Sequence, residues 1–364
     1  MKFDNLFPPT IDGTVYLEIT HNCNFRCKHC YVKAPQKKQM TLEQVKYIAK
    51  ILKKYGFKKV LLTGGEPLLH KDIKEITELL KKDFKVVLIT NGTLIKEVNL
   101  DYNQFDGIYI SYDGPSDKEY KALRGKGGFF IVQDNIKHLV KQGSKVAIGI
   151  ILTKYNIDKI DDLVEQAREL NVDKINLTVT QPFGRTLKNK DLILTPEEYF
   201  KIIPKLSKIK DIHFESMLCY PKELRNDSKT VKKLSLFDKY MSGCAAGKKF
   251  IYINPDGNVT PCGYITADNE LMKETGNIFK MDLKDIYKTK LFQFFMNRSW
   301  ESVKGKCKCC DYSVICKGGC PFRSHYLKGN PQLPDPWCMN EPEKNKYIES
   351  KVDIKNFEKV EAIC

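Results

Sequence analysis

The first 180 residues alternate between two patterns. Short β-branched or apolar runs are followed by stretches whose apolar residues recur at helical spacing. The runs are Thr14–Thr20, Lys59–Thr63, Lys85–Thr90, Gly107–Ser111, Lys145–Leu152 and Lys174–Val179. The spacing between them predicts helices over Thr41–Tyr55, Lys71–Lys82, Thr93–Asn99, Gly128–Gln142 and Ile157–Leu170. Thr41 with Gln44 three residues on has the pattern of a capping box. Six β-α units in a row predict an α/β fold with a parallel sheet and right-handed crossovers, either open or a partial barrel. In both architectures function gathers at the C-terminal edges of the strands. The polar and glycine-rich segments fall at those edges: His21–Cys30, Gly64-Gly65-Glu66-Pro67, Asn91-Gly92 and Tyr112-Asp113-Gly114.

The pattern changes after residue 180. Residues 181–240 read as a helical connector, with a helix start signal at Thr195-Pro196-Glu197-Glu198. From Cys244 regular periodicity weakens, and Gly, Pro and Asn become frequent between cysteines. Asp256-Gly257 reads as a hairpin turn between Phe250–Ile253 and Val259–Thr260. The expected organisation is a barrel domain over 1–180, the connector over 181–240, a small metal-held domain over 241–340 and a tail over 341–364.

Composition narrows the class. The 364 residues are 42% hydrophobic and 29% charged, which supports a folded core and excludes wholesale disorder. No run of 18 apolar residues supports a membrane span, and Met1–Thr10 has no secretory apolar region, so the expected location is cytoplasmic. The 13 cysteines then point to metal, because a reducing compartment does not keep disulfides and the count is odd. The formal charge of +16 fits acidic partners, but a Lys-rich composition needs none. The lysines are spread along the chain and only two tryptophans are present, so a nucleic-acid-binding stripe is not expected.

Cys23-x3-Cys27-x2-Cys30 places three thiols just past the first strand. Such a loop wraps an iron–sulfur cube with one iron left open, or a zinc ion completed by His21 or His29. Gly64-Gly65-Glu66-Pro67 lets backbone approach closely and offers oxygen acceptors for an ammonium, or is simply a turn. Cys307-x2-Cys310-x5-Cys316-x3-Cys320 alone would suit one zinc. With Cys244, Cys262 and Cys338 the set is too large for a single zinc site, and Cys309 is an eighth thiol.

Taken together, these motifs resemble the radical S-adenosylmethionine (SAM) enzymes that carry a C-terminal SPASM extension, and the resemblance spans residues 14–338. It implies a partial (β/α)6 TIM-like barrel followed by a small cysteine-rich SPASM domain. It implies SAM and three [4Fe-4S] clusters as cofactors. Cys23, Cys27 and Cys30 would hold the SAM-binding cluster. Gly64, Gly65, Glu66 and Pro67 would receive the SAM amino group, and His29 would touch adenine. Asn91, Ser111 and Asp113 match strand-end positions near the SAM ribose and carboxylate, and Arg124 is a candidate for that carboxylate. Cys307, Cys310, Cys316 and Cys338 would ligate one auxiliary cluster, and Cys244, Cys262 and Cys320 the other. Relatives with full coordination have a further cysteine soon after the position of Cys244, and none lies between Ala245 and Val259. That departure implies an open iron, or a ligand from elsewhere such as Cys219. Cys309 and Cys364 have no role in the pattern. Ten such thiolates would add roughly −4 to the net charge and leave the chain basic.

The activity implied is hydrogen abstraction by a 5′-deoxyadenosyl radical followed by net oxidation of a peptide or protein. Decarboxylation of tetrapyrrole propionates is the alternative, and an iron–sulfur electron carrier a more distant one. Sulfatase-maturing relatives carry an Asp just after the position of Cys262. Here it is Gly263, which counts against that activity. Only 13 residues precede strand one, so a leader-recognition domain is expected on a separate chain. A flavodoxin or ferredoxin-type reductant is the expected electron donor.

Overall fold

In the computed structural model six strands run parallel in chain order: β1 (Thr14–Glu18), β2 (Lys59–Thr63), β3 (Lys85–Thr90), β4 (Gly107–Ser111), β5 (Val146–Leu152) and β6 (Lys174–Val179). The structure describes residues 13–32, 38–206, 208–209, 212–215, 243–298, 302–310 and 316–338. Neighbouring strands are consecutive in sequence, so right-handed crossovers place the intervening helices on one face of the sheet. These helices are α1 (Leu42–Lys54), α2 (Ile73–Lys81), α3 (Asp117–Arg124), α4 (Phe129–Lys141) and α5 (Ile160–Glu169). Strand residues alternate accordingly. Val15, Leu17, Val60, Leu62, Val86, Leu88, Ile108, Ile110, Ile148 and Leu177 are buried under the helices. Tyr16, Leu61, Thr63, Val87, Ile89, Tyr109, Ser111 and Thr178 face the other way and are half-buried.

The helices obey their local signals. Thr41 caps α1: its side chain accepts from the Gln44 N–H, and the Gln44 side chain accepts from the Thr41 N–H. Val45, Ile48, Ala49 and Leu52 form the buried stripe of α1. The predicted helix over Thr93–Asn99 does not form, and that segment is a series of turns. Thr93 is drawn into side-chain bonds with Asn91 and Asn24, and such local bonds compete with a helix. A helix not foreseen, α3, precedes α4 instead.

Three further strands extend the sheet beyond β1. Strand β8 (Phe250–Ile253) pairs parallel with β1, β9 (Asn258–Thr260) antiparallel with β8, and β10 (Gly276–Asn277) antiparallel with β9. Gly257, at φ +82, makes the predicted hairpin turn. Strand β7 (Ile212–Glu215) ends the row beside β6, giving the order β10-β9-β8-β1-β2-β3-β4-β5-β6-β7. The expected α/β partial-barrel class is therefore the observed one.

The chain divides into two compact units. The first comprises Met1–Ile193, Asp211–His213 and Ala246–Gln293, and the second Leu194–Lys210, Phe214–Ala245 and Phe294–Cys364. The stretch 241–340, read as one domain, is thus shared between them, because the β8–β9 hairpin satisfies the open edge of β1. The first unit also contains α7 (Asn269–Lys273) and α8 (Leu283–Ile286). The second contains α6 (Pro196–Leu206) and α10 (Pro321–Lys328), and α9 (Lys290–Asn297) spans the boundary. Thr195 and Glu198 exchange side-chain and backbone bonds at the start of α6, as the start signal predicts. Residues 216–240 of the connector and the tail 341–364 lie outside the described residues, and Cys219 and Cys364 with them. Among the described residues no helix is long and apolar enough to cross a membrane.

Candidate cofactor and metal site

The cysteine loop leaves β1 and is held by backbone on both sides. Thr20 bridges to Gln39, and the His21 N–H donates to Lys38 O at 2.9 Å. On the other side, the Gly65 N–H donates to Thr20 O and the Glu66 N–H to Asn22 O, both at 2.7 Å. A Cβ on Gly64 (φ +154) would sit 2.4 Å from Thr20 O, and one on Gly65 2.4 Å from Asn22 O. The two glycines therefore admit the cysteine loop itself, a close approach that any side chain would block. Glu66 is fully buried. Its Oε1 accepts from Thr90 Oγ1 (2.7 Å) and Leu68 N (3.1 Å), and its Oε2 from Asn91 N (2.8 Å). Burial nevertheless pushes its pKa up to about 7. Pro67 opens a short 3-10 turn, Pro67–Leu69. Asn91 Nδ2 donates to Asn24 Oδ1 at 2.8 Å, and Asn24 Nδ2 to Thr93 Oγ1 at 3.0 Å. Asn91 thus ties the end of β3 to the loop that carries Cys23.

The three thiols lie in one electrostatic neighbourhood. Burial raises the Cys23 pKa to about 11, with further upward pressure from Glu66, Cys27 and Cys30. Burial also raises that of Cys27, opposed chiefly by Arg124, whose Nη1 is 3.7 Å from Cys27 Sγ. Thiols held this way become thiolates when a metal supplies the charge. Asp113, past the end of β4, organises the far side. Its Oδ1 accepts from Ile151 N at 2.8 Å, and its Oδ2 lies 2.5 Å from Arg124 Nη2 and 3.4 Å from His29 Nε2. Burial lowers the His29 pKa to about 4, so the ring is neutral near neutral pH. Ser111, the last residue of β4, pairs with Gly149 on the face away from the crossover helices.

Buried His29 Nδ1, Arg124 Nε and Arg185 Nε have no hydrogen-bond partner among the described residues. Arg185 is tied to the thiol loop by its own N–H, which donates to Cys30 O at 2.9 Å. Partnerless donors and acceptors beside a three-thiol loop fit a polar cofactor seated against a cluster. The donor set fits a cluster better than one ion. His29 is turned to Asp113, and His21 toward Glu18 at 3.9 Å. Among the described residues no three His, Cys, Asp or Glu side chains are gathered tightly enough for a single metal ion. Four-iron cubes spread their cysteines farther apart than the roughly 3.8 Å between thiolates on one zinc.

The second unit carries six of the other predicted ligands. Burial raises the Cys307 pKa to about 12, with Cys338, Cys316 and Cys310 adding to it, so these three thiols all lie near Cys307. Burial raises Cys320 to about 11; Arg323 opposes this, and Asp335 and Cys244 add to it. Cys320 caps α10, accepting from Arg323 N at 3.4 Å. The fully buried Arg323 pairs with Asp335 (2.7 and 2.5 Å) and stacks over Trp337 at 4.1 Å. Asp335 Oδ2 also accepts from Cys320 N at 2.7 Å. Asp335→Ala should destabilise this unit by about 3–5 kcal/mol, since it removes the buried carboxylate that pairs with the Arg323 guanidinium. An unchanged urea midpoint and iron content would refute this. Cys262 lies in the first unit, just after β9. Cys309 ends the 3-10 turn Gly305–Cys309.

Sequence reading missed Glu18, on β1 five residues before Cys23. It is 2% exposed, its Oε2 has no hydrogen-bond partner, and burial raises its pKa from 4.5 to about 7. The signal was present: a charge at an inward position of an otherwise apolar and aromatic strand end. Also unforeseen is the ring cluster beside it, with Tyr16 stacked on Tyr252 at 4.2 Å and Tyr31 edge-on to Tyr264 at 5.0 Å. Between pH 4.5 and about 7 Glu18 is protonated when folded and ionised when unfolded. Its contribution to stability is therefore lost as pH rises through that window. Glu18→Gln should stabilise the protein by up to roughly 3 kcal/mol at pH 8 and by less at pH 6. Urea unfolding at the two pH values tests this, and an equal or negative effect would sink it.

The chain is similar to known proteins in sequence and in fold. The family model of the radical SAM superfamily matches residues 17–167, and that of the SPASM iron-sulfur cluster-binding domain matches 244–311. An AdoMet-dependent heme synthase of Oleidesulfovibrio alaskensis is 27% identical over 92% of this chain and 89% of its own. The antilisterial bacteriocin subtilosin biosynthesis protein AlbA of Bacillus subtilis is 29% identical over 89% of this chain and 69% of its own. The crystal structure of Streptococcus suis SuiB bound to precursor peptide SuiA shares the fold at a TM-score of 0.68 and 19% identity, covering 90% of this chain and 75% of that one. The chain therefore belongs to the radical SAM superfamily, as an enzyme whose barrel is followed by a SPASM iron–sulfur domain.

Proposed function

We propose that this enzyme carries out a radical-initiated, net oxidative modification of a peptide or protein. The observation that carries the reading is a meeting point. Cys23, Cys27 and Cys30, Gly64 to Pro67, and the Asp113–Arg124–His29 set converge at the C-terminal edge of one sheet. When bound there, SAM and a four-iron cluster supply a 5′-deoxyadenosyl radical able to take a hydrogen atom from an unreactive carbon. The chain's own residues bind and orient. The three thiolates hold the cluster, and Gly64 and Gly65 keep their loop against β2. Glu66, with acceptor capacity left beyond its three bonds, receives an ammonium. Asp113 holds Arg124 and His29 in place, with the His29 ring neutral for contact with adenine. Asn91 and Ser111 edge the same site. Auxiliary iron–sulfur clusters, one of them on Cys307, Cys310, Cys316 and Cys338, would complete the cofactor set.

The peptide class is supported by the relative named for bacteriocin biosynthesis and by the fold shared with a precursor-peptide complex. A second reading, decarboxylation of tetrapyrrole propionates, is favoured by heme-synthase relatives matched over about nine-tenths of both chains. A flavodoxin or ferredoxin-type reductant and a separate leader-recognition chain are the partners this function calls for. The test is anaerobic reconstitution with iron counted per chain, then dithionite and SAM with chromatography for 5′-deoxyadenosine. About twelve irons and 5′-deoxyadenosine are expected. Peptides encoded beside the gene, and then a porphyrin carboxylate, are assayed next. A zinc protein without iron would end the reading.

A further inference from the structure

The face of the sheet turned away from the crossover helices is nearly free of charge. Strand alternation puts every second residue of β1 to β6 and β8 there. Among them are three lysines, Lys59, Lys85 and Lys174, each the first residue of its strand. Glu18 stands at the opposite edge, level with Thr63 and four residues from the level of Lys59, about 13 Å away. It is the single carboxyl on that face of these strands.

Among the described residues one of its two oxygens, Oε2, is unsatisfied. Its Oε2 is buried without a hydrogen bond, and His21 Nε2, at 3.9 Å, is too far to make one. Tyr31 is the other titratable neighbour. Its buried phenol is driven up first by burial and then by Glu18, and it lies beside Tyr264, Cys30 and Cys262. Strand formation does not call for a carboxyl here, because an apolar β-branched side chain would suit an inward strand position better. A buried carboxyl with an unsatisfied oxygen beside a radical site, walled by tyrosines, is arranged to meet something brought from outside.

We propose that Glu18 is the anchoring carboxyl of a substrate subsite, selecting a nitrogen-borne donor of a peptide, such as an ammonium or guanidinium, over an anionic arm. This rests on the peptide reading above and deepens it. A carboxylate arm entering here would meet Glu18, and the only cations that the described strands place on this face are the distant strand-start lysines. An ammonium would supply the missing charge and hydrogen bond together. The groups facing Glu18 are His21 from its own loop and Tyr31 from the loop after Cys30, and neither brings a fixed charge. His21 is kept toward its neutral form chiefly by burial. Selectivity should therefore strengthen as pH rises above about 7, where Glu18 ionises.

The test uses the reconstituted holoenzyme with SAM. Acetylated glycine–serine heptapeptides with a central lysine, glutamine or glutamate are measured by equilibrium dialysis at pH 8. A porphyrin tetracarboxylate is measured by its Soret band. The lysine peptide should bind at least tenfold more tightly than the glutamate peptide. Glu18→Gln should bring the three within about twofold, and Glu18→Lys should reverse their order. Iron content equal to wild type and an unfolding midpoint no lower certify the variants. Equal affinities, no binding of any peptide to wild type, or porphyrin bound in preference to the lysine peptide would overturn the proposal. Absence of 5′-deoxyadenosine in wild type would instead strike the radical reading, leaving the ranking to judge Glu18.

Discussion

Changing Cys23, Cys27 and Cys30 together to alanine should abolish 5′-deoxyadenosine formation while about eight irons stay bound. The reason is where the thiols sit. All three belong to one loop of the first unit, between β1 and the Gly64–Glu66 segment. Cys307 and the thiols near it, Cys310, Cys316 and Cys338, with Cys320 and Cys244, belong to the second unit, where Arg323 pairs with Asp335. The alanines remove no bond of that pair. Iron analysis with the SAM-cleavage assay separates the outcomes. Loss of all iron in proportion would break the cluster assignment, and cleavage that survives would remove these thiols from the chemistry.

The second large effect needs no cysteine change. Gly65→Ala places a methyl group 2.4 Å from Asn22 O and 2.7 Å from His21 O, both main-chain atoms that cannot swing aside. The loop must retreat, and the two 2.7 Å backbone bonds to Thr20 and Asn22 are lost or stretched. Overpacking plus two weakened bonds amounts to about 3 kcal/mol, concentrated on the segment that presents Cys23. The variant should lose roughly a third of its iron, the share of the first cluster, and with it SAM cleavage. Full iron content with wild-type cleavage would show that the loop has freedom which this geometry denies it.

Much of the fold was legible because the signals were local. The six parallel strands follow from apolar runs at regular intervals, the start of α1 from Thr41 and Gln44, and the β8–β9 turn from Asp256-Gly257. The segment Thr93–Asn99 was not legible. Its apolar spacing suits a helix, but Thr93 is held by Asn91 and Asn24, and Asn24 is 69 residues away in sequence. The glycines of the Gly64–Pro67 motif were read as room for a cofactor. In the folded chain they first make room for the cysteine loop.

What the sequence by itself determined is the kind of chemistry: thiols at cluster spacing, a glycine-rich turn at the next strand end and an α/β sheet to bring them together. These depend on spacing along the chain, and strand geometry carries that spacing directly into space. The tertiary structure alone decided which partners the charged groups take. Arg124 pairs with Asp113 and Arg323 with Asp335, while Glu18 Oε2 finds no hydrogen bond among the described residues. Burial and counter-charge are properties of what packs around a group, and those neighbours come from distant parts of the chain.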